Sequence, residues 1–174
     1  MQSDELYDIV DEADRVVGQA TRGECHGNPD LIHRVVHIFL FNHAGELLLQ
    51  KRSANKDIQP GKWDTSVGGH VDGGERYGEA ARRELAEELG VEGAALCHLY
   101  DYLWRNEIET ERIRVFSLVH DGPFVYQRDE IDAIRFWPVA EIERNLGSGL
   151  FTPLFEVGWA RYINWARYKE SETH

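Results

Sequence analysis

Cysteine is scarce in these 174 residues: the two present, Cys25 and Cys97, form no CxxC pair and no other metal-ligand spacing. A disulfide framework is excluded as the source of stability, and free thiols are expected. Long apolar runs are also missing. No stretch approaches the roughly 20 apolar residues of a membrane-spanning helix, and MQSDELYDIV lacks the basic start and apolar segment of a signal peptide. A soluble, cytoplasmic protein with no membrane partner is the expectation. Bases are outnumbered, 19 against 31 acids, giving a formal net charge of −12. Such a surface repels nucleic acid, so none is expected as a partner, and a phosphorylated small molecule would need local cations or a metal.

What is present reads as a folded globular protein. Apolar residues make up 42% and aromatics 11%, and the length suits one domain over residues 1–174, without repeats or linkers. Apolar alternation predicts an N-terminal hairpin at about 5–20. Residues 21–30 are polar and read as a loop carrying Arg22, Cys25 and His26. Strands are expected at 35–41, 47–49, 64–71, 96–105 and 131–137, and a hairpin fits residues 108–113 and 115–119. A short helix is expected after Pro138, over 139–145, and a C-terminal helix from Pro153 to about Tyr168. Mixed strands with a few helices imply an α/β layered sandwich.

The densest chemistry lies in residues 69–91, GHVDGGERYGEAARRELAEELGV. A glycine turn leads into good helix formers from about Glu75 to Leu89, and Gly90 stands at the stop. On that helix Glu84, Glu87 and Glu88 share one face, at i, i+3 and i+4. Neighbouring carboxylates near a helix C-terminus repel one another and oppose the macrodipole. A hard divalent cation would turn the repulsion into coordination. A solvated charged face is the bland alternative, and the helix alone leaves both readings open.

The spacing G-x5-E-x7-R-E-U-x-E-E-x-G-U, with U aliphatic, is matched at Gly69, Glu75, Arg83, Glu84, Leu85, Glu87, Glu88, Gly90 and Val91. The stretch resembles a complete Nudix box. That resemblance implies a Nudix-fold α/β/α sandwich with a mixed sheet, and Mg²⁺ or Mn²⁺ held by Glu84, Glu87 and Glu88 against a diphosphate that water cleaves. Arg83 would orient the ligating carboxylates.

Three bases, Lys51, Arg52 and Lys56, stand out in an acidic chain, and charge alone makes Arg52 and Lys56 candidate phosphate contacts. Solvated side chains are the plain reading. Trp63, Trp104 and Trp137 would stack on a base or cover a prenyl group, although tryptophan more often belongs to a core.

LLLQKRSANKDIQPGKWDTSVGGH, the pair Glu109 and Glu111, and the later FTP are similar to type I isopentenyl-diphosphate isomerase and its hydrolase relatives. This resemblance implies a second divalent metal at His26, His33, His70, Glu109 and Glu111; imidazole with carboxylate suits Zn²⁺, Mn²⁺ or Fe²⁺. It also implies diphosphate contacts from Arg22, Arg52, Lys56 and Arg83, and a place for Trp137 beside the substrate. The isomerase carries a cysteine where this chain has Gly68, and glycine has no proton to give. With the box complete, a metal-dependent hydrolase of a nucleoside diphosphate or related molecule is expected, with isomerase activity the disfavoured alternative. Glu87, Glu88 and Glu111 are the candidate catalytic bases. Monomer and homodimer stay open.

Overall fold

The computed structural model describes residues 5–173. Its N-terminal hairpin pairs β1 (Leu6–Val10) with β2 (Val16–Thr21). The turn is held by Asp11, whose carboxylate accepts the backbone N–H groups of Ala13 and Arg15, each at 2.9 Å. The segment expected to be all loop contains one helical turn, α1 (Arg22–Cys25). Thr21 and Glu24 cap it reciprocally: the Glu24 N–H donates to Thr21 Oγ1 at 3.3 Å, and the Thr21 N–H to Glu24 Oε2 at 2.7 Å.

The central strand is β3 (Ile32–Phe41), which pairs antiparallel with β1. It turns into β4 (Leu47–Arg52), but the two strands meet only at Phe41 and Leu47 and then diverge. The single strand expected over 64–71 is two pieces. β5 (Trp63–Asp64) pairs with β4, and β6 (Val67–His70) pairs with β3. A cleft opens along this divergence.

Next comes α2 (Tyr77–Leu89). It starts two residues later than expected because Glu75 and Arg76 belong to its approach, where the Arg76 N–H donates to Glu79 at 2.9 Å. Gly90 ends it in the left-handed conformation, φ 67°, with its N–H on the Ala86 carbonyl. Ala80, Ala81, Leu85 and Leu89 bury one stripe of α2 against Val36, Ile38, Leu40 and Val67. Complete burial of Leu85 alone contributes about 1.5–3 kcal/mol.

The hairpin after α2 joins β7 (Cys97–Arg105) to β8 (Thr110–Val119). Residues 108–113 and 115–119 are therefore not the two arms of a hairpin; 110–119 is one continuous strand, parallel to β3 along its length. β9 (Ile131–Trp137) pairs with β4, then α3 (Val139–Asn145) leads to α4 (Pro153–Glu172). Thr152 caps α4 by accepting the Phe155 N–H at 3.2 Å. The helix runs past Tyr168 because Lys169–Glu172 are helix-compatible and contain no Gly or Pro.

Alternation along β3 explains the layering. Val36, Ile38 and Leu40 face α2, whereas Val35 and Phe39 join Phe155 and Trp159 of α4 in a second core. The result is a mixed α/β sandwich: a nine-stranded sheet among the described residues whose central strands pack on α2 on one face and on α4 on the other. No helix is long and apolar enough to cross a membrane among the described residues.

Candidate functional site

Helix α2 and the strand before it interlock at a glycine. A Cβ on Gly69 would stand 2.1 Å from the Glu84 carboxyl carbon, so the helix carboxylate lies directly on the β6 backbone. Arg83 fixes this corner. Its Nε and Nη2 donate to the two oxygens of Glu75 at 2.9 Å each, Nη2 also donates to the His70 carbonyl at 3.0 Å, and Nη1 donates to Glu84 at 2.8 Å. Hydrogen bonds to Glu75 raise the guanidinium pKa, against the opposing effect of burial. Glu88 accepts from the Gly68 N–H at 3.2 Å and from Gln50 Nε2 at 3.4 Å. Burial, then Glu84, push the Glu88 carboxyl up to about 8, and burial also raises Glu84.

Glu84, Glu87 and Glu88 line a cleft of about 980 Å³. Arg22, Arg52 and Lys56 line it too, so the acidic helix face and three cations share one space. Each cation has a carboxylate neighbour. Arg22 lies 3.4 Å from Glu5, Arg52 lies 3.6 Å from Asp64, and Lys56 pairs with Glu130. Burial, then the positive fields of Arg52 and Arg22, lower the Lys56 pKa.

Beside the cleft lies a second cluster. Strand register brings His33 opposite Glu111 and His70 opposite Val35, two residues along the same face of β3. The turn after α1 adds His26, and the β7–β8 turn adds Glu109. His26, His33 and His70 form one group whose candidate ligand atoms lie within 4.8 Å of one another, and His33, Glu109 and Glu111 form another. Nε2 of all three histidines, with Oε2 of Glu109 and of Glu111, is buried without a hydrogen-bond partner. Such unpartnered atoms, in two groups that share His33, are costly unless a cation joins them. Burial lowers His33 to about 4 and His70 well below its ordinary value, and it pushes Glu111 up to about 8. Neutral imidazole is the ligating form. The donor set therefore fits a divalent ion.

The NUDIX domain family matches residues 31–155. This chain belongs to the Nudix family. An uncharacterized Nudix hydrolase of Pseudomonas aeruginosa, PA4841, is 42% identical over 132 residues, 76% of this chain and 78% of the relative. The crystal structure of DR0079 from Deinococcus radiodurans superposes with a TM-score of 0.75 at 30% identity, covering 88% of this chain and 96% of that one. The NUDIX domain of Shewanella oneidensis NrtR, complexed with ADP ribose, shares the fold at a TM-score of 0.58 and 20% identity, covering 78% and 86%. The isomerase alternative finds no support here.

Within the Nudix frame, most residues singled out from sequence do meet. The three box glutamates, Arg22, Arg52, Lys56, Arg83, His70 and Glu111 all line the cleft, and His70 and Glu111 also belong to the second cluster. Two residues expected beside the diphosphate are held in other contacts. Trp137 is 3% exposed, packs edge-on against Trp63 and Phe151, and does not line the cleft. With Leu47 and Leu49 of β4 it joins the core that packs on α4. Arg83 has its N–H groups committed to Glu75, Glu84, the His70 carbonyl and, at 3.5 Å, Glu87, so its geometry suits orienting carboxylates rather than binding a diphosphate.

The cleft also holds residues that the sequence reading passed over: His37, Gln50, Asp64, Thr65, Gln127 and Glu130. His37 was within reach of pattern reasoning, because it stands on the same face of β3 as His33 and Val35. Burial lowers its pKa to about 4. It pairs with Gly68, where an added Cβ would meet the imidazole at 3.3 Å.

Proposed function

We propose that this Nudix enzyme hydrolyses the phosphoanhydride of a small diphosphate, a nucleoside diphosphate or a related molecule, with Mg²⁺ or Mn²⁺. The observation that carries the reading is the half-buried pair Glu84 and Glu88 facing into a cleft shared with Arg22, Arg52 and Lys56. Glu84, Glu87 and Glu88 would hold the ion, and Arg83 would keep Glu84 in place. A divalent metal there supplies charge neutralisation and lowers the pKa of a bound water. Burial raises the pKa of Glu88, and of Glu84 despite its bond to Arg83, and a metal ion would favour the charged form of both.

The remaining chemistry belongs to the chain's own side chains. Arg22, Arg52 and Lys56 can exchange their carboxylate partners for phosphate oxygens, which are better acceptors for a charge-assisted bond. Glu87, Glu88 and Glu111 line the cleft, and one of them would take a proton from the attacking water. The second cluster would hold a Zn²⁺- or Mn²⁺-class ion through His26, His33, His70, Glu109 and Glu111, the feature that links this chain to the isomerase-like branch. Gly68 leaves that branch's thiol chemistry without its proton donor.

The test is ³¹P NMR of purified protein with Mg²⁺ or Mn²⁺ and a panel of nucleoside diphosphates, ADP-ribose and isopentenyl diphosphate. Metal-dependent loss of diphosphate resonances with appearance of monophosphate is the expected result. Binding without cleavage across the panel would count against hydrolysis.

A further inference from the structure

One strand touches both the histidines of the second cluster and the glycine turn ahead of the box helix, and it precedes the matched NUDIX region. Along β1, successive side chains point to opposite faces. Tyr7 is fully buried, and its ring stacks on His70 at 4.8 Å and 10°, and on His33 at 5.6 Å and 16°. On the opposite face Asp8 accepts the Gly74 N–H at 2.9 Å and Gln19 Nε2 at 3.0 Å. The Leu6 carbonyl accepts the Gly73 N–H at 2.8 Å. A Cβ on Gly73 would meet Gln19 Nε2 at 2.9 Å and the Leu6 carbonyl at 3.2 Å, so the approach is close. Three consecutive residues thus grip the imidazoles on one side and, on the other, the glycine turn that opens the Nudix helix.

An imidazole donates its lone pair in the ring plane, so a ring stacked on its face sets that direction while leaving the ligating edge free. The edges in question, His33 Nε2 and His70 Nε2, have no hydrogen-bond partner. We propose that Tyr7 and Asp8 are positioning residues through which β1 couples the two metal sites. Tyr7 aims His33 and His70, and Asp8 transmits the order of the His/Glu site to the turn ahead of the box helix. This rests on the reading of the His/Glu cluster as a metal site.

The experiment uses Co²⁺ as the probe, with its visible absorption reporting ligand geometry and hydrogen exchange following the Gly73 and Gly74 amides. Wild type should bind Co²⁺ and gain protection at both amides. Tyr7→Phe keeps the ring and should match wild type. Tyr7→Leu should weaken Co²⁺ binding by about 10–100-fold, shift the absorption bands and abolish the gain in protection. Asp8→Ala should bind Co²⁺ as wild type does, yet show no gain at Gly74. If Tyr7→Leu fails to fold, Asp8→Ala decides: a gain at Gly74 equal to wild type overturns the coupling. Unchanged affinity and spectrum in folded Tyr7→Leu would also overturn it. Wild type that binds no Co²⁺ removes the His/Glu site, and the coupling with it, whereas wild-type binding with an indifferent Tyr7→Leu removes the coupling alone.

Discussion

Glu84 occupies the space that a side chain on Gly69 would need: the added Cβ would lie 2.1 Å from its carboxyl carbon. Gly69 is conformationally ordinary, since its φ is not positive, so the requirement for glycine comes from close approach and not from backbone freedom. Gly69→Ala is expected to push Glu84 off the strand, cost about 1–3 kcal/mol of stability through overpacking, and reduce metal-dependent turnover. Thermal unfolding and a metal titration of activity check both effects together.

Arg83 should act on turnover more than on substrate affinity. Its fork holds Glu75 at 2.9 Å through two nitrogens while reaching Glu84 at 2.8 Å, a geometry that a lysine ammonium does not reproduce. Arg83→Lys is expected to lower kcat by about 10–100-fold and to weaken metal binding, with KM nearly unchanged. A large rise in KM with kcat intact would place Arg83 on the diphosphate instead.

The metal-free protein should lose stability between about pH 6.5 and pH 8. Burial raises Glu88 and Glu111 from the ordinary 4.5 to about 8, so the folded state binds more protons than the unfolded one across that interval. Their stabilisation is complete below 4.5 and is lost as pH rises through 8. His33 and His37, lowered from 6.5 to about 4, act in the opposite sense, but only below 6.5. Above 6.5 the carboxylates act alone. Denaturant unfolding in chelator across this range checks the slope, and added Mn²⁺ should flatten it.

How much of this was legible in the chain depended on whether a signal was local. The glycine turn, the helix and Gly90 could be read because each rests on neighbouring residues, and so could Glu84 and Glu88 sharing a face. The single turn at Arg22–Cys25 was missed although Thr21 and Glu24 carry the T-x-x-E spacing of a capping box. The split of 64–71 into two strands depends on β3 and β4 parting after Leu47, a pairing choice made far along the chain. The placement of Trp137 was not legible for the same reason: which way an indole turns is set by its partners, Trp63 and Phe151, and not by its own segment. The convergence of His26, His33 and His70 with two glutamates came from family resemblance, because the spacing of two of these histidines on a loop and a strand start singles out no site.

Trp137 provides a check on that placement. Trp137→Phe should leave KM for the diphosphate unchanged while costing roughly 0.5–3 kcal/mol of stability, as expected for a core substitution. A rise in KM without loss of stability would return the ring to the substrate.

The most direct test of the account is Glu88→Gln, followed by ³¹P NMR with the best substrate of the panel and a Mn²⁺ titration. The side chain keeps its shape and its neighbours, Gln50 and the Gly68 amide, but loses the charge that would hold the ion. The account predicts a folded protein with weakened Mn²⁺ binding and turnover reduced by orders of magnitude. Full metal-dependent cleavage by Glu88→Gln would contradict it.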